Sequence, residues 1–161
     1  MVTNKEVWVQ GVFDELGALV LSYIKTIVGD VHQAEDILQN VFVKLWKINI
    51  QSITNTKAYI LTTARNESYT HIRKNKKFSA HVAVDCQIFS KTTDPLRKIC
   101  IEEALLKLPQ EQREIIFLKI YAQLTFQKIA DTLKIPINTA SSRYRYAMEK
   151  LSDLLGETNN E

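Results

Sequence analysis

The segment LTFQKIADTLKIPINTASSRYRYA, Leu124 to Ala147, decides how this chain is read. Ile129, Ala130 and Leu133 fall on one face of a short helix, and Ile137, Ala140, Tyr144, Ala147, Met148 and Leu151 recur every three or four residues along a second. Two such faces pack together as a helix-turn-helix. Thr125 supplies an N-cap for the first helix, although Lys128 in place of Glu three residues on leaves the capping box incomplete. Pro136 suits the first position of the second helix, where its missing N–H is not needed and its fixed φ favours entry. Asn138, Ser141, Ser142 and Arg145 then point outward, with Tyr146 and Glu149 near the edge. Amide, hydroxyl and guanidinium groups are the types that pair with base edges in a DNA major groove. Short amphipathic helix pairs also serve as plain scaffold. The run Arg143-Tyr144-Arg145-Tyr146 argues against that, because a structural helix has little use for two guanidinium groups set between aromatic rings.

Composition narrows the class. With 161 residues, four Gly and three Pro, the chain has room for one domain or two small ones and few breaks, which points to an all-α protein with short connections. Pro95, Pro109 and Pro136 sit where helices start, and Gly29 and Gly156 where they end. Cys86 and Cys100 are too few for a disulfide framework and lack partners at zinc spacing. His32, His71 and His81 are scattered without a carboxylate or thiol constellation, and no glycine-rich phosphate loop is present. The expectation is therefore no catalysis, no metal and no cofactor. No apolar run reaches membrane-spanning length and no signal peptide is visible, so a soluble, cytoplasmic protein without membrane insertion is expected.

Charge is uneven. Residues 55 to 78 carry six basic residues, Lys57, Arg65, Arg73, Lys74, Lys76 and Lys77, against Glu67 alone, a net of +5. Residues 1 to 54 hold four basic and six acidic residues, a net of −2. The basic stretch is either a solvated helix end or a second nucleic-acid footprint.

Along the chain, residues 7 to 28 place Val12, Phe13, Leu16, Leu19, Val20, Tyr23, Ile24 and Ile27 on one side of a helix that Gly29 ends. Residues 31 to 48 give the strongest helical pattern, a stripe of Ala34, Ile37, Leu38, Val41, Leu45 and Ile48 with Phe42 and Trp46 beside it. Asp36, Gln39, Asn40, Val43 and Lys47 remain on another face. Asn49 to Asn55 reads as a loop. A third helix from about Thr56 to Lys74 buries Ile60, Leu61, Ala64 and Ile72, completing a three-helix bundle over residues 1–77. Phe78 to Thr93 lacks a helical period and reads as a linker over 78–93. Asp94-Pro95 opens helices over 95 to 107 and 109 to 121, which lead into the helix-turn-helix of a four-helix domain over 94–156, followed by a polar tail over 157–161.

Two stretches in this order carry a resemblance. AEDILQNVFVKLW (Ala34 to Trp46), followed by YILTTARN (Tyr59 to Asn66), resembles the second region of the extracytoplasmic-function (ECF) sigma factors of bacterial RNA polymerase. LLKLPQEQRE (Leu105 to Glu114), with the helix-turn-helix, resembles their fourth region. The resemblance covers nearly all of the chain except its first few residues, the linker and the tail.

The resemblance implies a protein that binds core RNA polymerase through its clamp coiled coil and flap, recognises promoter DNA, helps melt it and initiates transcription, commonly restrained by an anti-sigma factor. Asp36, Gln39, Asn40 and Val43 would meet the clamp. Lys57, Tyr59, Arg65, Asn66, Arg73 and Lys74 would hold unstacked bases and phosphates of the −10 element. Asn138, Ser141, Ser142, Arg145 and Tyr146 would lie near bases of the −35 element, with Arg113, Thr139 and Arg143 on phosphates. The chain departs from the family at Thr70, where Asp is common, at Ala122-Gln123, where a Gly-containing approach is usual, and at Lys134-Ile135-Pro136 in place of Gly-Ile-Ser. A dimeric helix-turn-helix repressor or activator is the alternative; residues 1 to 75 lack the dimerisation or effector pattern it needs.

Overall fold

The computed structural model describes residues 1–75 and 94–158. The linker assigned to 78–93, the basic residues Lys76 and Lys77, Cys86, His81 and residues 159–161 lie outside the described residues. The chain divides into two compact units, within residues 1–83 and 84–161. Among the described residues every regular element is helical.

The first unit holds α1 (Asn4–Val28), α2 (Val31–Lys47) and α3 (Thr56–Lys74), each packed on the other two. α1 starts ahead of its apolar period because Thr3 forms a complete capping box with Glu6, two orphan N–H groups being satisfied reciprocally. Gly29 ends α1 in the left-handed region (φ 75°), which a residue without Cβ adopts freely, and Asp30 at once caps α2 by accepting from the Gln33 N–H. Asn55 caps α3 in the same way through the Ala58 N–H. Val20, Tyr23 and Ile24 from α1, Ala34, Ile37 and Val41 from α2, and Ile60, Leu61 and Ala64 from α3 are buried. A Lys44–Glu67 ion pair and a 3.0 Å contact between the His71 ring and the Gln33 amide oxygen join α2 to α3 across the rim.

Several residues assigned to this core lie outside it. Phe13 and Ile72 are exposed, and Leu19 and Ile48 are half-buried. Ile72 sits in the last turn of α3, at the edge of the core-facing sector. The Asn49–Asn55 loop contains one 3-10 turn, Ile50–Ser52, capped by Asn49.

The second unit holds α4 (Pro95–Leu106), α5 (Gln110–Ile116), α6 (Phe126–Leu133) and α7 (Ile137–Thr158), with α7 packed on the other three. Asp94 caps α4 with Pro95 in its first turn. Pro109 and Pro136 stand one residue ahead of α5 and α7, and the Pro136 carbonyl accepts from the Ala140 N–H at 3.0 Å. Gly156 does not end α7, which runs on to Thr158.

The helix expected over 109 to 121 changes pitch. From Phe117 to Tyr121 it becomes a π turn, closed by the Ala122 N–H on the Phe117 carbonyl at 3.1 Å. The six residues Arg113 to Leu118 are all buried. An α-helix turns about 100° per residue, so it cannot aim six successive side chains at one face. This segment is enclosed on several sides, and the widened turn lets Phe117 stack on Tyr121 with ring centroids 5.5 Å apart.

Candidate nucleic-acid interface

Asn138, Ser141, Ser142, Arg145 and Glu149 fall within roughly 100° around α7, at 3.6 residues per turn. Asn138, Ser141, Arg145 and Glu149 are exposed and Ser142 is half-buried. The Arg145 guanidinium lies over the Tyr146 ring, 5.0 Å from its centroid, with Nε 4.0 Å from a Glu149 carboxylate oxygen. Thr139, Arg143 and Tyr146 occupy the adjoining flank. Arg143 is 3.4 Å from the Glu111 carboxylate of α5. Tyr144 points inward instead, edge-on to Phe126 of α6 with centroids 5.6 Å apart, so it fastens the two helices of the motif.

Arg113 does not join this surface. It is 8% exposed, and its Nη2 donates to the Gln110 side chain at 3.2 Å. Its place at the head of the buried run to Leu118 is the sequence signal for that.

α6 carries Thr125 as its N-cap, the hydroxyl accepting from the Lys128 N–H at 3.3 Å. The approach to α6 and the turn leaving it contain the two positive-φ residues other than glycine among the described residues, Gln123 and Lys134, both at φ 55°. These are positions where the chain departs from the Gly-bearing family pattern.

On α3, Tyr59, Asn66 and Arg73 are spaced by seven residues and share one line of the helix surface. Asn66 and Arg73 are exposed and Tyr59 is half-buried. Arg73 Nη2 donates to the Thr70 hydroxyl at 3.1 Å. Arg65 flanks the line, its guanidinium 4.6 Å from the centroid of Tyr69, an aromatic that the sequence reading passed over. Lys74 flanks it on the other side. Lys57 turns away: it shares its phase with the buried Leu61, Ala64 and Ser68, and it lines a groove against α1 together with Trp8, Gly11 and Glu15. The loop before α3 is tied to α1 by Lys5, whose ammonium donates to the Ile48 carbonyl at 2.8 Å.

Asp36, Gln39, Asn40 and Val43 are all exposed on α2. Gln39 and Val43 border a groove of about 630 Å³ shared with Phe13, Glu35, Leu38, Phe42 and Trp46. Asp36 and Asn40 lie on the far side of that strip. Phe13, Val43 and Trp46 are 46%, 51% and 41% exposed, and Phe13 meets Phe42 edge-on at 5.1 Å. Exposed aromatic residues grouped in one concavity mark a protein contact surface. An apolar period alone cannot separate such residues from core ones, because they flank the same stripe.

Residues 12–78 match the family described as Sigma-70 region 2, and residues 104–153 match Sigma-70, region 4. Among curated relatives, the ECF RNA polymerase sigma factor SigW of Bacillus subtilis is 29% identical over 144 residues, covering 78% of this chain and 76% of its own length. The ECF RNA polymerase sigma factor SigL of Mycobacterium tuberculosis is 27% identical over 158 residues, covering 92% and 89%. Among solved structures, the sigma factor RpoE from Bartonella quintana, crystallised with the anti-sigma factor NepR, superposes with a TM-score of 0.71 at 26% identity over 91% of this chain and 95% of that one. CnrH, solved with the cytosolic domain of CnrY, shares the fold at a TM-score of 0.66 and 18% identity, over 92% and 88%. With a helix-turn-helix region following a three-helix region, each matched to its own family in that order, the chain belongs to the ECF sigma factors of bacterial RNA polymerase.

Proposed function

We propose that this sigma factor divides its work among three of its own surfaces. As a family member it binds core RNA polymerase, recognises the −35 and −10 promoter elements, and supports melting and initiation. The ECF sigma factors are not an enzyme family, and no helix among the described residues is long and apolar enough to cross a membrane. The groove on α2, with Gln39 and Val43 on its border, receives the polymerase clamp coiled coil. Asp36 and Asn40 form the polar rim of that contact. The polymerase flap is assigned to the helix-turn-helix unit.

The Tyr59–Asn66–Arg73 line, flanked by Arg65 and Lys74, takes the −10 element as single strand. Tyr59 stacks on a base, Asn66 pairs with a base edge, and the cations neutralise phosphates. Asn138, Ser141, Ser142, Arg145 and Tyr146 read the −35 element in the major groove, and Thr139 and Arg143 hold its backbone. Arg113 serves the fold of α5 rather than DNA.

One observation carries this reading. An apolar aromatic groove on α2 and a polar, cationic line on α3 occupy separate surfaces of one small bundle, which suits simultaneous protein and nucleic-acid occupants. An anti-sigma partner, as NepR is for the RpoE of Bartonella quintana, would act by covering these surfaces. The test is whether purified protein forms a stoichiometric complex with bacterial core polymerase and starts transcription with no other factor added. Gln39→Ala combined with Val43→Asp should abolish assembly and leave the fold intact. Normal assembly by that double variant would refute the α2 assignment.

A further inference from the structure

The residues that extend α1 ahead of position 12 lie outside the segment matched to Sigma-70 region 2, yet they are fixed by the Thr3–Glu6 capping box and tied by Lys5 to the loop before α3. With the first turn of α3 they enclose a groove of about 490 Å³. Trp8 and Glu15 from α1 and Thr56 and Lys57 from α3 line it. Gly11, itself exposed, also lines it, and a Cβ built there meets nothing within 4 Å. A mid-helix glycine lowers helix stability by about 1 kcal/mol relative to alanine, and among the described residues no neighbour occupies the space beside it. A Cβ built at Gly17, in contrast, would meet the Phe13 ring at 3.5 Å.

We propose that this groove is a second base pocket, taking one unstacked nucleobase with an exocyclic amino group, cytosine or adenine, from the promoter strand whose other bases lie on α3. The inference rests on the α3 reading above. Trp8 offers an indole face for stacking, and Gly11 leaves the base room beside it. The Glu15 carboxylate accepts from the exocyclic amine, and the Lys57 ammonium at the rim meets the adjoining phosphate. Lys57 is the residue of the basic stretch that turns away from the Tyr59–Asn66–Arg73 line, and the groove begins at that helix's own first turn. Glu6 and Asp14 lie beyond Gly11 on the other side of α1, so the groove itself carries one carboxylate and one ammonium.

The test uses holoenzyme assembled on bacterial core polymerase and fluorescent single strands of about ten nucleotides, oligo-dC, oligo-dA and oligo-dT, a length within the range such sites cover. Trp8→Ala and Gly11→Leu are each expected to weaken oligo-dC and oligo-dA binding by roughly 5- to 150-fold, the range spanned by one stacked base. Trp8→Phe should retain most of it. Glu15→Gln should erase the preference for oligo-dC and oligo-dA over oligo-dT. Gly11→Leu replaces glycine with a better helix former, so loss of binding there is not loss of fold. Wild-type binding by Trp8→Ala and Gly11→Leu, with loss in Tyr59→Ala, would overturn the pocket and leave the α3 reading standing. Impaired assembly with core polymerase in the groove variants would give the groove to the polymerase and overturn the pocket too. No strand binding above that of core polymerase alone would overturn both readings.

Discussion

Trp46→Ala should weaken assembly with core polymerase far more than changes at Asp36 or Asn40 on the rim of the same groove. A tryptophan offers at most about 250 Å², so at 41% exposure Trp46 leaves roughly 100 Å² for a partner to cover. At about 25 cal/mol per Å² that is about 2.5 kcal/mol, or roughly 70-fold in Kd. Val43→Ala removes less. Full burial of a valine is worth about 1.5 kcal/mol, and at 51% exposure about half of that, some fourfold, is available to binding. Asp36→Ala and Asn40→Ala, on the rim, should alter the association rate and its salt dependence by less than about 1 kcal/mol. The assay is titration of labelled protein with core polymerase, with thermal melting run alongside because part of Trp46 also packs within the first unit. Wild-type affinity in a folded Trp46→Ala protein, with large losses at Asp36 or Asn40, would show that the clamp grips the polar face and not the groove.

Arg145→Ala should cost about 1–3 kcal/mol on the cognate −35 element and relax preference at one position; equal losses on every sequence would make it a phosphate contact. Lys134→Gly should raise the melting temperature of the second unit, because a side chain at φ 55° is strained by about 1 kcal/mol, partly offset by the greater freedom of glycine in the unfolded chain; a fall would show that Lys134 makes a contact worth more than the strain. The Tyr121 phenol is pushed up to about 12, by burial and then by Glu102. A raised value means the unfolded chain loses its proton first as pH rises, so Tyr121 contributes fully below pH 10 and that contribution is lost between pH 10 and about 12. Tyr121→Phe should flatten the decline of stability across that window, and an unchanged slope would refute it.

The helices themselves were legible because their signals are local. Asp30, Asn55, Asp94 and Thr125 each cap the helix that follows them, and Val20, Ile24, Ile37 and Ile60 sit in the core as their spacing requires. The errors share a different cause. Phe13 has the right phase for the core of α1, but only the position of α2 decides whether that face is covered, and at Phe13 it opens into the aromatic groove. Arg113 reads as a solvent cation until its place in a fully enclosed segment is known. Lys57 belongs by charge to the basic stretch and by phase to the other side of the helix. Local composition predicts that a surface exists; tertiary packing decides which residues share it.

Melting needs no catalytic side chain, but it does need enough captured bases. Opening a DNA duplex sacrifices about 1.4 kcal/mol of stacking per base-pair step, while one base stacked on an aromatic side chain returns about 1–3 kcal/mol. In the proposed assignment Tyr59 alone would offset one or two opened steps, and an added base on Trp8 one or two more. A longer bubble could not then be held open by this bundle's stacking alone, and the proposed phosphate contacts of Arg65, Arg73 and Lys74 would weaken as salt rises. The remaining free energy has to come from the polymerase, which brings further surface to the open strands. With the polymerase on the α2 groove and the strand on the α3 line, as proposed, the Lys44–Glu67 pair and the common core would tie the capture of bases to the binding of the polymerase, because both surfaces belong to one closely packed bundle.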